Sequence, residues 1–290
     1  MNRFILFLAG LSVTLFGATP VVTVSIAPQK YFVEQIAKGL VNVNVMVEPG
    51  SSPHTYEPKP SQMKQLAHSD VYFRVGDGFE NAWIPKFQSI NPKMLIVDTA
   101  KDVTKIAMVE HHHEGENKQT HHEDDDDDGG LDPHIWLDPL LVKIQAKTIF
   151  ETLSTLYPLH VKEFSANYEA FLLSLDNLDA TIKSTLSGLQ NRKFIVFHPS
   201  FGYFAKRYGL EQIAIEMSGK EPKPSELAMI IKEAKEEGAK VVFIAPQFSQ
   251  KSAQTIAKQI GGKTVVIDPL ALAWKENLLL IAQTFQSALK

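Results

Sequence analysis

Apolar and polar positions along the chain follow two alternating periods. Val- and Ile-rich runs at 21–27, 41–47, 71–75 and 95–97 read as strands, the second with valines alternating against Asn42 and Asn44 and the third ending at Gly76. Residues 29–38 and 61–67 read as helices between them. After residue 190 the order returns: strands at 193–197, 211–216, 241–245 and 264–267, helices at 201–208, 225–237, 253–260 and 277–288. Alternation of this kind predicts an α/β fold, with parallel sheets covered by helices.

The two halves also share a pentad. Glu57-Pro58-Lys59-Pro60-Ser61 recurs as Glu221-Pro222-Lys223-Pro224-Ser225, each time before a helix, where proline fits the first turn and serine can cap free N–H groups. We read a duplication that made two similar lobes. Between them Phe164, Tyr168, Phe171, Leu175, Leu178, Ile182, Leu186 and Leu189 fall at spacings of three and four, one stripe of a single long helix. A helix over 160–189 would span about 45 Å and act as a rigid strut. The expected organisation is an export signal at 1–19, an N-terminal lobe at 20–158, a linker helix at 159–190 and a C-terminal lobe at 191–290.

Composition narrows the class. At 290 residues, with 44% hydrophobic and 21% charged, the chain suits two globular lobes. Residues 110–128 hold nine acids and one base, a net of −8, so the overall −4 leaves the remainder at +4. No basic stripe points to nucleic acid. Arg3 followed by an apolar run to Phe16 and by Gly17 and Ala18 resembles a signal peptide, too short to span a bilayer. With no cysteine, disulfides, thiolate metal sites and a lipid-anchored N-terminal cysteine are excluded, and a periplasmic location is expected.

Candidate chemistry lies in the histidines. His111, His112, His113, His121 and His122 sit in a segment, 111–128, that ends in five aspartates and has no apolar residue to bury. Its imidazoles and carboxylates are donors for a borderline divalent metal, on mobile ligands whose ordering costs entropy. Three other histidines lie beside prolines: His54 after the second strand, His134 in Asp132-Pro133-His134-Ile135-Trp136-Leu137-Asp138-Pro139, and His198 at the end of the 193–197 strand. Asp268 ends the 264–267 strand. Carboxyl ends of parallel strands are where ligands bind in open α/β sheets, and three imidazoles plus one carboxylate suit tetrahedral zinc. Convergence of the four is an expectation. His68 and His160 lack this context.

These residues resemble a known family. Pro53-His54-Thr55-Tyr56 running into the pentad, the Asp132–Pro139 motif, His198-Pro199-Ser200-Phe201-Gly202-Tyr203-Phe204 and Asp268-Pro269-Leu270 are similar in order to those of zinc-binding solute-binding proteins of ABC metal importers, the ZnuA type. The resemblance covers about residues 21–290. It implies two α/β lobes joined by one long helix, metal between the lobes on His54, His134, His198 and Asp268, and an accessory His- and acid-rich loop. Pro199-Ser200 stands where Asp-Ala is more usual, and Gln62 where Asp is common. The function implied is capture of Zn2+ in the periplasm and delivery to the membrane permease of an ABC zinc importer, by a monomer that catalyses no reaction. Alternatives are a manganese or iron binder of the same fold, a secreted zinc hydrolase and an adhesin-like surface protein. The hydrolase lacks a His-Glu-x-x-His pair, and four protein donors leave no open metal position for an activated water.

Overall fold

The computed structural model describes residues 19–108, 130–216 and 223–289. The expected export signal, apart from Thr19, and the 111–128 segment lie outside the described residues.

The N-terminal part runs β1 (Val21–Val24), α1 (Ala27–Ala37), β2 (Asn42–Val45), α2 (Pro60–Leu66), β3 (Val71–Arg74), α3 (Gly78–Ile90) and β4 (Leu95–Asp98). Two helices follow, α4 (Pro139–Leu156) and α5 (Val161–Thr185). The second part is β5 (Lys193–Val196), α6 (Gly202–Tyr208), β6 (Glu211–Ala214), α7 (Pro224–Glu236), β7 (Val241–Ile244), α8 (Gln250–Gln259), β8 (Lys263–Val266) and α9 (Trp274–Ala288). The strands form two four-stranded parallel sheets of the same order, β2-β1-β3-β4 and β6-β5-β7-β8. The two lobes therefore share a topology, as the repeated order of elements predicts. Helices α3 and α4 were not foreseen. Pro85 interrupts the α3 pattern, and α4 mixes apolar residues with buried Gln145 and Thr148.

The repeated pentad works differently from the expectation of serine caps. Both helices start at the second proline, and neither takes a side-chain cap from Ser61 or Ser225. The residue after each serine supplies the cap instead: Gln62 Oε1 accepts the Lys59 N–H at 2.9 Å, and Glu226 Oε2 accepts the Lys223 N–H at 2.6 Å. Glu221 and Pro222 lie outside the described residues.

Helix α5 has 25 residues, about 38 Å of axis, preceded by a short 3-10 turn at Pro158–His160. Its predicted stripe is buried from Phe164 to Ile182 and continues through Leu186 and Leu189. Only Tyr168 is half-buried, stacked on Phe150 of α4 at 4.7 Å. On one side α5 meets α1, where Phe171 approaches Phe32 and Asn167 donates to the Ile36 carbonyl. On the other it meets α9, through Lys275 to Ser174 and Gln286 to the Thr185 carbonyl. One apolar core consequently runs from the first sheet through α5 to the near face of the second, where Phe194, Val196 and Phe243 point inward. Ile195, Val242 and Ile244, at the alternate positions, face a smaller core with residues of α7 and α8. Along β5 and β7 the period-2 alternation sends successive apolar residues to opposite cores.

Candidate metal centre

Three of the predicted residues converge. His54, His134 and His198 each offer a ring nitrogen, and the three nitrogens lie within 4.8 Å of one another. The ring centroids are 4.8–5.7 Å apart. His54 comes from a 3-10 turn, Pro53–Thr55, beyond β2. His134 precedes a second 3-10 turn, Ile135–Leu137. His198 follows β5. Residues of both lobes thus meet in one group: His54 and His198 come from just beyond β2 and β5, at the carboxyl ends where open α/β sheets bind ligands, and His134 comes from the segment before α4.

Each histidine has a carboxylate on its Nδ1 side. Asp132 Oδ1 accepts from both the backbone N–H and ring Nδ1 of His134, each at 2.8 Å. Glu216, just beyond β6, holds Nδ1 of His198 in a hydrogen bond. Asp77, which opens α3, places Oδ1 3.5 Å from His54 Nδ1. Engaging Nδ1 orients the ring and leaves Nε2 for the ligand. The Nε2 atoms of His54 and His198 are in fact 3.0 Å apart. Two nitrogens on one tetrahedral zinc would be about 3.3 Å apart.

Burial is uneven. The side chains of His134 and His198 are 5% and 7% exposed, against 31% for His54, so the group is most open to solvent at His54. Burial lowers His198 to about 4, outweighing the opposing pull of Glu216, so the ring is neutral at neutral pH, as a ligand must be. Burial pushes the Asp77 carboxyl up, but the His54 and His134 imidazoles outweigh it and hold Asp77 below its ordinary range. Phe248 stacks on His198 at 4.8 Å and Trp136 lies 5.1 Å from His134, walling the rings with apolar surface.

Neighbouring contacts fix the frame. Tyr203 of α6 donates its hydroxyl to the Asp132 carbonyl at 2.8 Å and accepts the Ile106 N–H at 3.1 Å. Gly202 permits that approach, since a Cβ there would sit 2.5 Å from Asp132 Oδ2. Arg207, one turn on, makes a bidentate pair with Asp138 at 2.8–3.0 Å.

Asp268 is not a member of the three-histidine group. Its Oδ1 accepts from Gln247 Nε2 at 3.0 Å and from the Leu270 N–H at 2.9 Å. The next residue is tied to the centre, because Trp136 Nε1 donates to the Pro269 carbonyl at 2.7 Å. His111, His112, His113, His121 and His122 lie outside the described residues. The sequence reading did not assign Asp77 and Glu216, and saw Asp132 only as part of a motif. The available signal was an acid just past a strand, after β3 and β6.

The family model for the periplasmic zinc-uptake complex component A, ZnuA, matches residues 22–290. Zinc-binding protein AdcA of Streptococcus pyogenes is 30% identical over 83% of the chain. The chain spans about half the length of that relative, 49%. The high-affinity zinc uptake system protein ZnuA of Bacillus subtilis is 31% identical, covering 86% of the chain and 78% of its own length. A crystal structure of ZnuA superposes with a TM-score of 0.85 at 41% identity, over 94% of this chain and all of that one.

Proposed function

The chain belongs to the ZnuA family of zinc-uptake components, and from that premise we propose that it captures Zn2+ outside the cytoplasm on His54, His134 and His198 and hands it to the membrane permease of an ABC importer. The family is one of solute-binding transport proteins, not enzymes. The observation that carries the reading is the convergence of three imidazoles from both lobes, two of them with Nδ1 already on a carboxylate. Three nitrogen donors favour a borderline metal such as zinc over manganese, which prefers oxygen. Bound metal would be held by the three Nε2 atoms, and Asp268, at the carboxyl end of β8, is the donor we propose for the fourth position. Its Oδ1 contacts to Gln247 and Leu270 would then orient the carboxylate.

The test is zinc titration of the purified protein against a competing chelator. H134A and H198A are each expected to lose more than about 100-fold in affinity, since even a residue supporting a ligand is worth 10–100-fold. Unchanged tight binding in both overturns the assignment. D268N is expected to weaken binding while leaving the three-histidine site loaded at high zinc. An unchanged affinity there gives the fourth position to a water. Competition between equal Zn2+ and Mn2+ tests the choice of cargo.

A further inference from the structure

Both donors that reach the Asp268 carboxylate fall on the same oxygen. Oδ1 accepts Gln247 Nε2 at 3.0 Å and the Leu270 N–H at 2.9 Å. A carboxylate oxygen has two lone pairs, so Oδ1 is saturated. Among the described residues no donor reaches Oδ2. The main chain is fixed as well: Asn277 Nδ2, near the start of α9, donates to the Asp268 carbonyl at 2.6 Å, and Trp136 Nε1 holds the carbonyl of Pro269.

The two donors differ in kind. The Leu270 N–H is local, and any aspartate with this backbone turn would take it. Gln247 comes from 21 positions away. It sits in the turn after β7, closed by the Phe248 N–H to the Ala245 carbonyl at 3.1 Å. Phe248 lies nearly flat on His198, with 4.8 Å between ring centroids and 21° between planes. One turn therefore touches both second-lobe residues proposed as metal donors, the imidazole through Phe248 and the carboxylate through Gln247. The amide has its nitrogen towards Asp268, since turning it over would set Oε1 against Oδ1, two acceptors. Its Oε1 is buried without a partner. That costs stability, so packing alone gives no reason for an amide at this position.

We propose that Gln247 is a specificity-determining residue: by filling the second lone pair of Asp268 Oδ1, it restricts the carboxylate to a single bond to metal, through Oδ2. The proposal rests on the reading of Asp268 as the fourth donor. Three imidazoles and one oxygen make the four-coordinate set that zinc takes. A carboxylate free to use both oxygens would offer five donors and favour ions that collect more oxygen ligands, manganese among them. Gln247 denies such ions the extra oxygen without itself touching the metal.

The test uses the full chain with Q247L, which removes the donor. Zinc affinity is expected to fall about 10-fold, the lower end for a partner that orients a ligand, while manganese affinity stays level or rises, so the preference for zinc over manganese drops about 10-fold or more. Cobalt loaded in place of zinc should show the intense visible bands of a four-coordinate ion in the wild type and the weaker bands of a five-coordinate ion in Q247L. The metal-free midpoint in urea should stay level, because the unpaired Oε1 leaves together with the donor. Equal losses for both metals, as a purely structural role would give, overturn the proposal, and so does a cobalt spectrum that Q247L leaves unchanged. D268N separates this proposal from the reading beneath it. If D268N weakens zinc binding while Q247L leaves the metal preference unaltered, the fourth donor stands and the role of Gln247 fails. If D268N binds zinc as tightly as the wild type, the reading of Asp268 fails and the role of Gln247 with it.

Discussion

Trp274 donates its indole N–H to the carbonyl of Trp136, 2.8 Å away and 138 residues earlier in the chain. Trp136 in turn donates to the Pro269 carbonyl at 2.7 Å. Three segments are thereby knotted at one buried point: the strip carrying His134, the strip carrying Asp268 and the start of α9. Trp274 also stands edge-on to Phe32 of α1 at 5.0 Å. The first lobe, the second lobe and the strut helix thus share packing rather than meeting at a hinge. This favours small adjustments over wide opening when a ligand enters.

That knot predicts the effect of W274F. Phenylalanine keeps part of the ring volume but removes the donor, leaving the Trp136 carbonyl buried without its partner. Stability should fall by about 2–4 kcal/mol, read as a lower midpoint in urea. The unfolding curve should remain a single transition in both proteins, because the main core crosses both lobes. Two separated transitions in the wild type would contradict a shared core.

The metal-free protein should lose stability in acid through His198. Its folded-state pKa is lowered from 6.5 to about 4 by burial. Above pH 6.5 neither state holds the proton and the group is silent. As pH falls from 6.5 towards 4 the unfolded chain takes up a proton that the folded one refuses, so stability drops, by at most about 3 kcal/mol. Glu80 opposes this, because burial pushes its carboxyl up to about 7 and its folded state gains from acid in part of the same window. The difference between wild type and H198Q/E216Q cancels that contribution. It should shrink across pH 6.5 to 4 in denaturant melts, and a difference independent of pH would refute the assignment.

Much of the fold was legible because it is periodic. The β5 and β7 strands alternate between two cores, so their patterns stood out, and the α5 stripe is buried at nearly every predicted position. Helix α3 was hidden by Pro85, and by burying only Phe79, Glu80 and Phe87 in its length. The histidines were legible from their chemistry, since imidazoles beside prolines at strand ends are few. Asp77 and Glu216 were not, because a lone acid after a strand reads as a solvated turn. Their role depends on contacts with residues 23 and 18 positions away, and no local pattern encodes which imidazole an acid will face. The caps on α2 and α7 came from Gln62 and Glu226 rather than the serines because the helix begins one residue before each serine.

Removing residues 111–128 should leave the three-histidine site intact. The flanks of that segment are tied to each other independently of it: Ala107 pairs with Leu131 as an antiparallel bridge, Met108 N–H donates to Gly130 O at 2.9 Å, and Asp132 N–H donates to Ile106 O at 2.8 Å. Tyr203 then clamps the second-lobe side of this stem onto Ile106 and Asp132. Asp132 is therefore placed for His134 by contacts that do not pass through the deleted residues. A short glycine-serine bridge between 110 and 129 should preserve tight zinc binding within about 3-fold, less than the 10-fold threshold for loss of a supporting partner. Any weak zinc sites carried by His111, His112, His113, His121 and His122 should disappear from the calorimetric titration. Loss of tight binding in the deleted protein would place the principal ligands in that segment and overturn the ranking of the two sites.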